Sequence, residues 1–266
     1  MGCAWKERDV TALTYDLVIV GAGTGNALPT EEFAGWRIAV VETSRFGGTC
    51  LNRGCIPSKM LVHTADVART IQDAGRFGLN ARWEGADWAA IRDRVFGRID
   101  PLHEQAVAYR RTKGVDVFLG EARFVAPRVL RVGNDVLRGS RFVLATGSQP
   151  HIPPIAGLAD SPYLTSANVM RLDTLPKSMV VLGSGYVAAE TSHIFGSLGT
   201  EVTIVGRAAH LLSRHDVDVQ ARFTEQYRQR FDLRLGSTVG GCPRRARGCA
   251  STLRRPPEHS RSRPRC

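Results

Sequence analysis

The chain has 266 residues, enough for one large domain or two ordinary ones with a sizeable core. Its 43% hydrophobic and 23% charged residues are those of a globular protein, and no apolar run approaches the ~20 residues that a membrane-spanning helix requires. The formal net charge of +11 is concentrated in residues 240–266, which hold eight Arg and one Glu, so it does not mark the body as a nucleic-acid binder.

Met1 to Ala12 carries Lys6, Glu7, Arg8 and Asp9 and lacks the apolar segment of a secretory signal. Lys6 stands where N-myristoylation after Gly2 wants Ser or Thr. Residues 1–13 are expected to be a disordered leader. Tyr15-Asp16-Leu17-Val18-Ile19-Val20 then reads as a buried parallel strand ending at Gly21. Gly21-Ala22-Gly23-Thr24-Gly25-Asn26 follows, then a short helical stretch cut by Pro29, then a second strand, Arg37 to Val41, closing on Glu42. This is a βαβ dinucleotide pattern: glycines admit the pyrophosphate, and an acid about 20 residues on accepts from ribose hydroxyls. Asn26 replaces the third glycine.

Gly47 to Lys59, GGTCLNRGCIPSK, places Cys50 and Cys55 directly behind that unit. Cys55-Ile56-Pro57-Ser58-Lys59 reads as a helix opening, where proline is tolerated and where unpaired N–H groups favour a thiolate. As an isolated pair the two cysteines read as buried structural thiols, and the full thirteen-residue context reverses that in favour of a redox pair. With Cys3 they are the only cysteines before residue 240, a cytosolic usage and not a secreted disulfide framework. Pro57 to about Gly78 reads as an amphipathic helix, and Asp87 to Arg111 as another capped by Asp87. Val115 to Leu144 reads as a strand and a small antiparallel meander, leading into the apolar strand Arg141–Leu144 and the small residues Ala145, Thr146, Gly147 and Ser148. The prolines between Gln149 and Pro154 mark a crossing between domains.

A second dinucleotide pattern follows. Met179 to Leu182 leads into Gly183-Ser184-Gly185-Tyr186-Val187-Ala188-Ala189-Glu190, then into Val202 to Val205. This copy ends in Gly206-Arg207, and an arginine there accepts a 2′-phosphate that a carboxylate would repel. The first site therefore suits an unphosphorylated ribose, and the second suits NADPH over NADH. The expected fold class is α/β, with two Rossmann-like dinucleotide-binding units at residues 14–150 and 151–239, the second incomplete.

Two such patterns with the C-x4-C motif behind the first resemble the flavoprotein disulfide reductases, the group of glutathione reductase, dihydrolipoamide dehydrogenase and mercuric reductase. The GAGTGN turn and the segment KMLVHTADVA are most similar to the mycothione reductase branch. The resemblance implies an FAD site formed by Gly21, Gly23, Asn26, Glu42, Gly48, Thr49, Cys50 and Lys59, with Ala145, Thr146 and Gly147 nearby. It implies an NADPH site at Gly183, Gly185, Tyr186, Val187, Ala188, Glu190 and Arg207. Cys55 would be the flavin-proximal sulfur and Cys50 the one that attacks a small-molecule disulfide. Lys59 would pair with Glu190 near the flavin, and Tyr186 would cover the nicotinamide pocket. Alternatives within the resemblance are a dihydrolipoamide dehydrogenase-like or mercuric reductase-like enzyme, or a non-catalytic FAD-binding remnant.

Members of that group continue through a segment returning to the FAD domain and an interface domain that forms a homodimer and carries an acid/base histidine. Here residues 240–266, with eight Arg, four Pro and three Cys, show no periodicity and read as an out-of-frame translation or a disordered tail. They lack the aromatic interleaving of a nucleic-acid-binding segment. The expectation is a C-terminally truncated, cytoplasmic flavoenzyme chain that retains FAD weakly and does not turn over a disulfide on its own.

Overall fold

Runs of Val, Ile and Leu fit a pleated, buried surface, and they build the strands of two separate sheets. The computed structural model describes residues 12–241 and 253–254. The described residues divide into two compact units, 12–57 with 94–149, and 58–93 with those from 150 onward. No helix among the described residues is long and apolar enough to cross a membrane.

In the first unit, strands β1 (Leu13–Val20), β2 (Ile38–Glu42) and β3 (Val115–Leu119) run parallel, with β1 pairing β2 from Leu17↔Ile38 to Val20↔Val41. The other side of β1 takes β6 (Asp135–Leu144), also parallel, and β6 then carries the antiparallel strands β5 (Val129–Val132) and β4 (Ala122–Ala126). The resulting order is β3-β2-β1-β6-β5-β4. One ten-residue strand thus closes the meander and completes the parallel sheet, where the sequence suggests two separate segments. One face of the sheet buries Leu17, Ile19, Ile38 and Val40 with Phe46 and Val107; the other buries Tyr15, Val18, Ala39, Val41, Leu130 and Leu137. At about 25 cal/mol per Å² of apolar surface, each such side chain contributes roughly 1.5–3 kcal/mol. β1 starts at Leu13, so the expected leader gives way to strand before Tyr15.

Between β1 and β2 there is no α-helix. Pro29 leaves only two single 3₁₀ turns, Thr24–Ala27 and Glu31–Phe33. Helix α1 (Gly48–Arg53), which sequence periodicity does not reveal, precedes α2 (Cys55–Gln72). The helix expected over residues 87–111 is in fact two, α3 (Trp88–Ile99) and α4 (Leu102–Thr112), because Pro101 has no N–H to continue the ladder of α3. Asp87 does cap α3, its Oδ1 accepting from the Ala90 N–H at 3.0 Å.

The second unit holds a parallel sheet of β7 (Ser178–Leu182), β8 (Glu201–Gly206) and β9 (Asp232–Leu235), in that order. Helix α5 (Tyr186–Ser197) connects β7 to β8, and α6 (Val217–Arg228) connects β8 to β9. Ala189, Val202, Ile204, Leu211, Tyr227 and Phe231 form its core. The α2 residues of this unit are tied to α5 through polar groups. Gln72 Nε2 donates to the Ser197 carbonyl at 2.8 Å. Arg230 Nη2 donates to His193 Nδ1 at 3.0 Å, so that nitrogen is the acceptor, and the imidazole proton sits on Nε2, 2.7 Å from Asp66 Oδ1. Strand β10 (Thr238–Val239) pairs antiparallel with β11 (Leu253–Arg254), a pairing that the lack of periodicity after Val239 does not suggest. The rest of the disordered tail expected over 240–266 lies outside the described residues, apart from Gly240 and Gly241.

Candidate functional site

The first glycine turn is built by close backbone approach. Gly21 sits at φ +111, and a Cβ there would lie 2.1 Å from the Ala145 carbonyl oxygen. Ala145 in turn donates its N–H to the Val20 carbonyl at 2.8 Å, so the ends of β1 and β6 meet at this turn. Glu42, buried at the end of β2, accepts from the Ala22 N–H at 2.7 Å and from the Ser44 N–H at 2.9 Å. The carboxylate is thus fixed under the turn, 20 residues from Ala22, as the dinucleotide pattern requires.

The residues fit a dinucleotide on one observation in particular. No backbone or side-chain acceptor among the described residues takes the N–H of Gly23, Thr24 or Gly25. Three consecutive donors without an acceptor suit an anionic diphosphate. Asn26 follows in the same turn. Ala145, Thr146 and Gly147 follow the end of β6 outside any helix or strand, with Gly147 at φ +71.

The cysteine motif abuts this cradle. Gly47 and Gly48 both have positive φ, and a Cβ on Gly48 would fall 2.6 Å from the Gly23 Cα, so only glycine lets α1 approach the first turn this closely. Thr49 and Cys50 lie on α1, and Cys55 opens α2. Gly54 between them passes over the Thr49 carbonyl, where a Cβ would come within 2.8 Å. Both cysteines are exposed thiols. Cys50, within α1, is not the thiol at the opening of α2. Its pKa is pushed up, first by the hydrogen bond to Cys55 and then by desolvation, while the N–H groups of Cys55 and Ile56 pull in the opposite direction without prevailing.

Several positioning side chains had no signal in the sequence. Asn52, inside the cysteine motif, donates to the Phe46 and Gly48 carbonyls, each at 2.9 Å. His103 on α4 accepts the Phe46 N–H at Nδ1, 3.1 Å away, and Arg45 pairs with Asp100. Arg110 on α4 bonds Asn26. Only Asn52 lies in a motif; the others reach the loop from more than fifty residues away, beyond the range of local pattern.

In the second unit, Gly183 (φ +140) and Gly185 lie between β7 and α5, and Tyr186, Val187, Ala188 and Glu190 occupy the first turns of α5. Tyr186 is 68% exposed. Lys59 on α2 forms an ion pair with Glu190, the partnership expected from sequence. Arg207 follows β8, is exposed, and makes no ion pair among the described residues. Among those residues no group of three or more His, Cys, Asp or Glu side chains is arranged to hold a metal ion.

Comparison with known proteins follows the same lines. Residues 15–247 match the family model described as pyridine nucleotide-disulphide oxidoreductase. Mycothione reductase of Mycobacterium tuberculosis is 41% identical over 249 residues, covering 90% of this chain and 54% of that protein. Mercuric reductase of Staphylococcus aureus is 32% identical over 214 residues, covering 79% of this chain and 39% of that protein. Among solved structures, the HOCl-induced flavoprotein disulfide reductase RclA from Escherichia coli superposes with a TM-score of 0.73 at 31% identity, over 85% of this chain and 50% of that one. The chain therefore spans between 39% and 54% of the length of these relatives. By the family match over most of its residues, the chain belongs to the pyridine nucleotide-disulphide oxidoreductases.

Proposed function

We propose that the chain acts as an FAD-dependent NADPH:disulfide oxidoreductase of the mycothione reductase type, cytoplasmic, with Cys50 and Cys55 as its redox pair. The observation that carries this reading is the placing of two exposed thiols, Cys50 on α1 and Cys55 at the start of α2, against a glycine turn whose three N–H groups have no protein acceptor among the described residues. The 41% identity to a mycothione reductase favours that branch over the mercuric reductase and dihydrolipoamide dehydrogenase alternatives.

The residues that would hold FAD are Gly21, Gly23 and Asn26 with their loop N–H groups at the diphosphate, Glu42 at the ribose, and Gly48, Thr49 and Ala145 to Gly147 along the cofactor. Bound there, FAD would supply two-electron transfer from the pyridine nucleotide to the Cys50–Cys55 disulfide. Gly183, Gly185 and the first turn of α5 would take NADPH, with Arg207 on the 2′-phosphate.

The chain's own chemistry is thiol–disulfide exchange. The Cys50 thiolate attacks one sulfur of the substrate disulfide, forming a mixed disulfide and releasing one thiol after protonation. Cys55 then attacks the Cys50 sulfur, releasing the second thiol and closing the Cys50–Cys55 bond. Two electrons and two protons leave the dithiol, and one substrate disulfide becomes two thiols. Loss of the Cys50 proton frees the nucleophile.

The test is to purify the 266-residue chain with FAD and measure flavin per chain. Oxidation of NADPH and NADH is then followed with mycothiol disulfide, oxidised glutathione, lipoamide and mercuric ion. The reading expects NADPH preference and, against the sequence expectation of no turnover by this chain alone, disulfide consumption that Cys50→Ser and Cys55→Ser each abolish. Flavin binding without disulfide consumption would make the chain the non-catalytic remnant. Equal use of the two nucleotides would remove Arg207 from its role.

A further inference from the structure

The loop from Gly21 to Pro29 has little internal support. In place of an α-helix it holds itself with the Asn26 N–H to Gly23 carbonyl bond at 3.1 Å and the Leu28 N–H to Gly25 carbonyl bond at 3.2 Å. Its start is held by the Gly21 N–H to the Val41 carbonyl at 2.8 Å, the Ala22 N–H to Glu42 at 2.7 Å and the Gly47 N–H to the Ala22 carbonyl at 2.9 Å, and beyond Gly23 one guanidinium adds the outside contacts. Arg110 Nε donates to Asn26 Oδ1 at 2.7 Å, Nη2 donates to the Asn26 carbonyl, and Nη1 lies 3.4 Å from the Pro29 carbonyl. Arg110 is well placed to be rigid. Three residues earlier on α4, Val107 is buried in the cluster with Leu17, Ile19 and Ala22, directly beneath the same loop.

We propose that Arg110 is a positioning residue for the dinucleotide loop, acting through Asn26. The planar fork grips the Asn26 amide and two carbonyls at once, and so fixes the Gly23–Thr24–Gly25 N–H groups for an anionic diphosphate. The residue that breaks the glycine pattern is, on this account, the handle that replaces the missing helix. A lysine cannot substitute, since an ammonium is a point charge without the guanidinium's fixed donor geometry. The inference rests on the reading that this loop binds FAD.

The experiment uses the full chain and has two readouts. FAD affinity, measured by flavin fluorescence, is expected to fall about tenfold or more in Arg110→Ala, the loss typical of charge-assisted hydrogen bonds. Arg110→Lys should recover less than half of that loss. Asn26→Gly should weaken binding, and Asn26→Gly with Arg110→Ala should be no worse than Arg110→Ala alone, since the two act as one unit. Amide exchange of the FAD-free chain, read by mass spectrometry, should rise over residues 22–29 in Arg110→Ala and stay unchanged over β7 and β8. FAD affinity within twofold of the parent, additive losses, or full recovery by lysine would each overturn the proposal, as would unchanged exchange over residues 22–29. If the parent chain itself binds no FAD, the functional reading fails, and the exchange result alone decides whether Arg110 clamps the loop.

Discussion

Gly21→Ala tests the geometry of the first turn quantitatively. Two effects add at this position. An L-residue with a side chain is strained at φ +111 by about 1–2 kcal/mol. The new Cβ would also lie 2.1 Å from the Ala145 carbonyl oxygen, a backbone atom that no rotamer change can move aside. Relieving that clash means displacing the β1 or β6 end and weakening the Ala145 N–H to Val20 bond, at an overpacking cost of about 1–3 kcal/mol. The sum is ~2–5 kcal/mol, a large share of the roughly 5–15 kcal/mol that holds a typical domain. Gly35→Ala is the control. Gly35 has φ +84 and nothing within 4 Å of its built Cβ, so it carries the strain without the clash. Urea unfolding followed by circular dichroism should place the Gly21→Ala midpoint well below that of Gly35→Ala, with both below the parent and with similar slopes. A Gly21→Ala chain as stable as the Gly35→Ala chain would refute the argument that the turn is closed by backbone contact.

Three further outcomes are expected. In Cys55→Ala, the hydrogen bond that raises the Cys50 pKa is gone, so the midpoint of the pH–rate profile for iodoacetamide alkylation of Cys50, resolved by peptide mass spectrometry, should move to lower pH; an unmoved midpoint would contradict the thiol–thiol contact. Burial holds the His193 imidazole below its ordinary range, against the opposing pull of Asp66, so the unfolded chain takes up this proton first as pH falls. Stability should therefore decline as pH drops below about 6.5 towards the lower folded-state value and level off beneath it, and urea midpoints of His193→Gln should lack this component of the slope. Glu190→Gln removes an ion pair whose side chains are 62% and 31% exposed, so the change in stability should stay below about 1 kcal/mol, and a larger loss in thermal unfolding would show the pair to be more than a surface contact.

What the sequence reveals and what it hides divide along the range of the interactions. The β1 and β2 strands, the glycine turns and the opening of α2 at Cys55 are all legible, because strand pattern, positive φ and helix-start chemistry are local properties. The Asp87 cap is legible for the same reason. Pro101 is harder: the apolar period runs on across it, and only its missing N–H divides α3 from α4. The double role of β6 could not be read, since its parallel partner β1 lies over a hundred residues earlier. Arg110 is hidden likewise, an ordinary arginine on a helix surface until the fold brings Asn26 beneath it.

The central claim is that Cys50 and Cys55 form one reversible disulfide, and peptide mapping tests it most directly. Arg45, Arg53 and Lys59 let trypsin cut the motif into residues 46–53 and 54–59, one cysteine in each. The account predicts that the oxidised chain yields these two peptides joined by a single bond. It also predicts that NADPH added to the FAD-loaded chain separates them, with two new thiols per chain. Two separately alkylated peptides from the oxidised chain, or a joined pair that NADPH and FAD leave intact, would contradict it.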